Sequence, residues 1–437
     1  MFNSQAQDTL WLNADSTFSL TLPGNGYEQI RLFLWGKRYL GSFIAEGGKY
    51  RLQIDAAAAK SVSIQEGKNE KNMEVSELMD ELGKDVFDVL SRQGDKWNIT
   101  RDTVASSVSR KLQDQVLALD EKMQGVDKDL YEKARQNARM QVMWAFQNQL
   151  FGIANRHSEA TRQSWLKEWE KMMEFCQVNH PASTFSPAFH EVVYNNAGIT
   201  YYIKGEPIDE DLKKNPYKLI FHYIEKNLTG QARETAMALL FLMDANEEKY
   251  DPEILPLEER FRQMHPQSKW QPLIDKAIAK NKAFNQAEIP DYIHFPNVDK
   301  AKTLKEVTDL YKGKVIFMDI WATWCGPCRE SFAHVKPLQE YAKKNDIVLL
   351  YLSIDRPDDD AKWRKMAAHY DLMGEHVRAQ EAFKKEIYDT FGNERGALSI
   401  PRCVIIGKDG KVKFAWAASP ENMEELASQL AEASKEE

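Results

Sequence analysis

With four cysteines among 437 residues, the chain has too few to be a disulfide-stapled scaffold. A basic excess is missing too: 58 Lys and Arg stand against 66 Asp and Glu, a formal net charge of −8. That argues against a general nucleic-acid binder, which needs cations to neutralise phosphates. No run of about 18 apolar residues occurs, so no transmembrane segment is expected. Residues 1–7 lack the basic and apolar segments of a signal peptide. Two readings follow: a cytoplasmic protein, or a mature chain whose signal has been removed. The nine histidines are scattered, and none makes an H-x₃-H pair near the one C-x-x-C. A structural zinc site, which usually needs four Cys or His ligands, therefore lacks partners, and the sequence implies no metal or other cofactor.

What is present is core-forming material: 11 Trp, 20 Phe and 16 Tyr. The length suggests two to four domains at ~100–200 residues each. Residues 1–70 read as β. Thr17–Leu22, Gln29–Leu34 and Tyr50–Ile54 alternate with period two, and Gly- and Pro-containing turns separate them, as in a small β-sandwich. Residues 71–288 read as an all-α domain of five to eight helices. Met143, Phe146, Leu150 and Ile153 fall on one helix face, Ala236–Met243 is a buried helix, and Asn215-Pro216 is among the expected breaks. Residues 289–437 turn α/β. A buried strand is expected at Val315–Ile320, a helix from Gly326, a strand at Ile347–Ile354 and a helix at Ala361–Tyr370. A hairpin follows around Gly407–Gly410, and a last helix begins at Ser419-Pro420.

Within the third segment, Trp321-Ala322-Thr323-Trp324-Cys325-Gly326-Pro327-Cys328 follows a strand and opens a helix. The first cysteine then sits where unpaired N–H groups and the helix dipole favour a thiolate, the attacking species. The two-residue spacer lets the second sulfur reach the first, and Pro327 suits a first helical turn. The bland alternative is half a zinc site or a pair of buried thiols. The strand–C-G-P-C–helix context favours redox chemistry. Asp319, alone in an apolar strand, is expensive unless it has a task or partners, or lies at the strand's solvent end. If it is buried, its pKa should be raised.

On these residues, together with Gly313-Lys314-Val315-Ile316, Ser399-Ile400-Pro401 and Asp409-Gly410-Lys411, residues from about 291 onward resemble the TlpA/ResA-like thiol–disulfide oxidoreductases of the thioredoxin fold. The resemblance implies a cis Ile400–Pro401 bond facing the cysteine pair, with an ordinary trans turn proline as the alternative. It also implies that Asp319 is the buried carboxylate that exchanges protons with the resolving cysteine. Trp324, Gly326, Pro327, Ile400 and Pro401 are expected to line the substrate-binding site, although Trp324 could equally serve packing. Two departures stand out. Tyr351 occupies the place of a lysine that pairs with the buried Asp, and Ala333 that of a helix-kinking proline. Residues 371–398 resemble an inserted strand and helix. The first 290 residues are similar, less specifically, to envelope proteins of Bacteroidetes-type bacteria.

The expected activity is thiol–disulfide exchange, with Cys325 attacking, Cys328 resolving and Asp319 assisting. The partners would be a disulfide-containing protein substrate and an external thiol electron donor. The expected location is the periplasm or cell envelope, the alternative cytoplasmic. A second reading makes the chain an envelope binding protein whose N-terminal domains recruit a partner that the redox domain services. A peroxidase would want a Thr three residues before its Cys, where this chain has Ala322. Cys176 and Cys403 read as buried core thiols, a bridge between them staying open, and His334 as a surface residue.

Overall fold

The computed structural model describes residues 27–34, 38–47, 49–54, 62–66, 70–94, 103–154, 157–298 and 301–435. It divides into two compact units, 1–279 and 280–437. No helix among the described residues is long and apolar enough to cross a membrane.

The described residues of the first unit begin with two separate antiparallel hairpins. One pairs β1 (Tyr27–Leu34) with β2 (Arg38–Glu46), and the other pairs β3 (Arg51–Ile54) with β4 (Val62–Glu66). The expected β-sandwich is therefore not what the described residues form; the expected strand Thr17–Leu22 lies outside them. Tyr27 and Ile44 are buried in the same apolar cluster as the helices that follow, which packs the first hairpin against them. Among the described residues, ten α-helices run from Glu70–Gly94 to Gln271–Gln286, more than expected. One reason is that a proline taken as a break starts a helix. Asn215 caps Pro216–Asn227, its side-chain oxygen accepting from Tyr217 N at 2.9 Å and Lys218 N at 3.1 Å. Met143, Phe146, Leu150 and Ile153 are all buried on the Lys128–Ala154 helix.

The second unit is a six-stranded mixed sheet in the order β10-β9-β6-β7-β8-β5. Its strands are β5 (Ile293–His294), β6 (Ile316–Trp321), β7 (Val348–Ser353), β8 (Gly374–Arg378), β9 (Arg402–Ile406) and β10 (Val412–Phe414). β6, β7, β8 and β5 run parallel; β9 and β10 are antiparallel to their neighbours. All six residues of β6 are buried, as a central strand covered on both faces requires. Residues 371–398 contribute β8 and the helix Glu381–Phe391, the strand-and-helix pair the resemblance implies. The helix that starts at Gly326 is interrupted by a 3₁₀ turn at Phe332–His334 before Val335–Asn345. Ala333 is not a proline, yet the break is there. Pro337 supplies the cause, because it has no N–H for the Ala333 carbonyl and its ring crowds that oxygen.

Candidate functional site

β6 ends at Trp321, and the chain leaves the sheet through a tight turn. Cys325 N donates to Ala322 O at 3.0 Å, which leaves Thr323 and Trp324 at the turn's centre. Cys325 is the N-cap of the Gly326–Ser331 helix. Its sulfur accepts from Cys328 N at 3.2 Å, so a free N–H of the first turn is aimed at it. Cys325 and Cys328 are joined in a disulfide, S–S 2.01 Å and Cα–Cα 5.3 Å. Cys328 is fully buried and Cys325 is 4% exposed, whereas Trp324 is 55% exposed. Gly326 is half-buried and Pro327 exposed.

The Ile400–Pro401 bond is cis and directly precedes β9. β9 runs antiparallel to β6 with Arg402 opposite Ile320, so Ile400 and Pro401 lie at the same end of the sheet as the turn that carries the cysteines. Both are half-buried.

Asp319 lies two residues before the end of β6. Directly opposite it are Cys403 on β9 and Tyr351 on β7, and opposite Tyr351 is His376 on β8. Residues in such a row share one face of the sheet. Phe332, just past the active-site helix, packs edge-on against Trp321 and Tyr351, so this face is the one beneath that helix. All four side chains of the row are buried. Asp319 Oδ1 has no hydrogen-bond partner among the described residues. Burial pushes its pKa up from 3.8 to about 7. Burial also raises the Cys403 thiol well above its ordinary value, with the Asp319 charge adding to the effect. Burial lowers His376 to about 4, where its Nε2 lies 2.7 Å from Leu372 O. Cys176 and Cys403 are both buried and free, each within its own unit. His334 is exposed.

One cluster escaped sequence reasoning. Asp355, buried just beyond the end of β7, accepts from Thr323 N at 2.9 and 3.1 Å, from Thr323 Oγ1 at 2.9 Å and from Ser353 Oγ at 2.8 Å. Burial raises the pKa of Asp355, and the Thr323 and Ser353 donors oppose the rise. The only signal in the sequence was Thr323 inside the motif itself.

Residues 281–430 match the Redoxin family. Among curated relatives, the thiol–disulfide oxidoreductase ResA of Bacillus thuringiensis is 29% identical over 127 residues, 29% of this chain and 65% of that protein. The chain thus spans less than two thirds of that relative's length. Among solved structures, a Bacteroides vulgatus protein assigned to the thiol–disulfide oxidoreductases is 32% identical, with 27% of this chain and 72% of that one covered and a TM-score of 0.23. A thioredoxin-like protein from Bacteroides caccae is 14% identical; the match covers 67% of this chain and 93% of that one, with a TM-score of 0.23.

Proposed function

We propose that this chain, whose C-terminal unit is a Redoxin domain with ResA-type thiol–disulfide oxidoreductases among its relatives, reduces protein disulfides through Cys325 and Cys328. The observation that carries the reading is the position of the pair. A two-residue spacer opens a helix at the end of a buried central strand, with Cys325 sulfur accepting the Cys328 N–H at 3.2 Å. That geometry stabilises negative charge on the first sulfur and keeps the second within bonding reach.

In the reduced protein, Cys325 thiolate attacks one sulfur of a substrate disulfide. A mixed disulfide forms and the substrate's other sulfur leaves as a thiolate. Cys328 then gives its proton to the Asp319 carboxylate and attacks Cys325 Sγ, expelling the second substrate thiolate. Two electrons pass to the substrate, the pair ends as the disulfide, and an external dithiol donor must reduce it. A carboxyl with a pKa of about 7 is suited to taking that proton near neutral pH. Trp324, Gly326, Pro327 and the Ile400–Pro401 segment would hold the partner peptide, since they lie at the end of the sheet that carries the pair.

The direction is reduction, because the Gly-Pro spacer is that of the thioredoxin type; potentials within the fold span ~150 mV, from about −270 mV for thioredoxin to about −120 mV for the strongest oxidants. The compartment is the periplasm or cell envelope, on the strength of the TlpA/ResA resemblance. The three sequence segments, with boundaries near 70 and 288, would divide the labour, chemistry residing in the last.

The test is trapping. Cys328→Ser should accumulate mixed disulfides through Cys325, and Cys325→Ser should accumulate none. In the reduced wild type, iodoacetamide near neutral pH should label Cys325 first. Equal labelling of both sulfurs would overturn the assignment, and a potential near the oxidant end would overturn the direction.

A further inference from the structure

The geometry points to Asp355 as a positioning residue that clamps the turn bearing the nucleophile, acting through Thr323. The inference rests on Cys325 being the attacking sulfur.

A buried carboxylate without a cation beside it is costly unless donors saturate it. Asp355 is 1% exposed, and no salt bridge to it occurs among the described residues. It is satisfied by four hydrogen bonds. Three come from the backbone N–H and hydroxyl of Thr323, 32 residues earlier in the chain. The fourth comes from Ser353, whose hydroxyl also accepts from Asp355 N at 3.0 Å and so fixes the carboxylate's own loop. The clamp therefore ties the ends of β6 and β7 together beyond their last ladder bond, Ile354 N to Trp321 O at 3.0 Å.

The tie falls on the turn Ala322–Cys325. Its own internal backbone bond runs from Cys325 N to Ala322 O. Trp324, in its second central position, is 55% exposed and contributes little burial to hold it. The thiolate-stabilising field of a helix N-terminus falls off within one turn. A Cys325 free to swing would lose the Cys328 N–H and with it part of that stabilisation. An ionised Asp355 would by charge alone disfavour the thiolate. Geometry and charge thus act on Cys325 in opposite directions, which makes the role testable.

The experiment uses the full chain, reduced and freed of reductant. The rate of iodoacetamide labelling at Cys325 is followed by mass spectrometry as a function of pH. Asp355→Ala and Thr323→Val should each raise the midpoint and slow labelling at pH 7 by about threefold to tenfold, the scale of one ordinary hydrogen bond. Thr323→Ser, which keeps the hydroxyl, should restore the wild-type midpoint. Thr323→Val keeps the carboxylate and nearly the same volume, so it decides the matter if Asp355→Ala does not fold. A lowered midpoint in Asp355→Ala with none in Thr323→Val would show a charge effect and overturn the clamp. Lower melting temperatures with unchanged midpoints would show a structural role alone and overturn it equally. If wild-type Cys328 labels as fast as Cys325, the nucleophile assignment fails instead, whatever the variants do.

Discussion

A carboxyl group in the middle of β6 keeps its proton to about pH 7, because burial disfavours its charged form. In the unfolded chain the same group ionises near 3.8. Between those values the folded state binds a proton that the unfolded state has released, so stability falls as pH rises through the window and is level above it. Three units correspond to about 4 kcal/mol as an upper bound. Asp319→Asn removes the titration. Denaturant unfolding of the C-terminal unit should show the wild type losing about 2–3 kcal/mol relative to the variant between pH 5 and 7. Parallel curves would mean a solvated carboxylate. The same variant should slow mixed-disulfide resolution, a lost general base typically costing about 10²–10⁴-fold. Asp319 was legible because a lone acid inside Ile316–Trp321 stands out. Asp355 was not, since Asp355-Arg356-Pro357-Asp358-Asp359-Asp360 reads as a solvated charged loop. Only pairing with Thr323, across 32 residues, shows it to be buried.

Elements were legible where one physical cause dominates. β6 and β7 are apolar runs, and the hairpin between β9 and β10 turns at Gly410 with φ of +75°. They were less legible where the cause lies at another position. Ala333 suggested an unbroken helix, but the break falls on Ala333 itself, its cause being Pro337 four residues on. Gly374 is a further case, since a single glycine says little until its neighbour is known. It opens β8 with φ of +142°, and a Cβ there would stand 2.5 Å from Leu349 O of β7. Either the backbone of β7 or that of β8 would have to move. Gly374→Ala should therefore destabilise the unit by about 2–4 kcal/mol through backbone strain and a lost close approach. A change within about 0.5 kcal/mol, the range of neutral surface substitutions, would show that β8 adapts freely.

At the scale of the whole chain, the sequence pattern changes between residues 288 and 289, whereas the compact units divide nine residues earlier, after Ala279. A continuous helix gives no local sign of where its packing changes partner, and Gln271–Gln286 is such a helix. Its last turns belong to the redox unit. Phe284 is 2% exposed and packs edge-on against His369 at 5.4 Å, and Asn285 O accepts from Lys365 Nζ at 2.8 Å. Two fragments separate the boundaries. Residues 280–437 keep these contacts and should fold and reduce insulin disulfides unaided, because the cysteine pair, Asp319, Asp355 and Pro401 all lie within them. Residues 289–437 lose a buried phenylalanine, a change that costs about 3–5 kcal/mol when made by substitution to alanine, and should melt at a lower temperature with the same active-site chemistry. Equal stability of the two fragments would put the boundary back between residues 288 and 289. A folded 280–437 that fails to reduce insulin would mean that the helical unit completes the site.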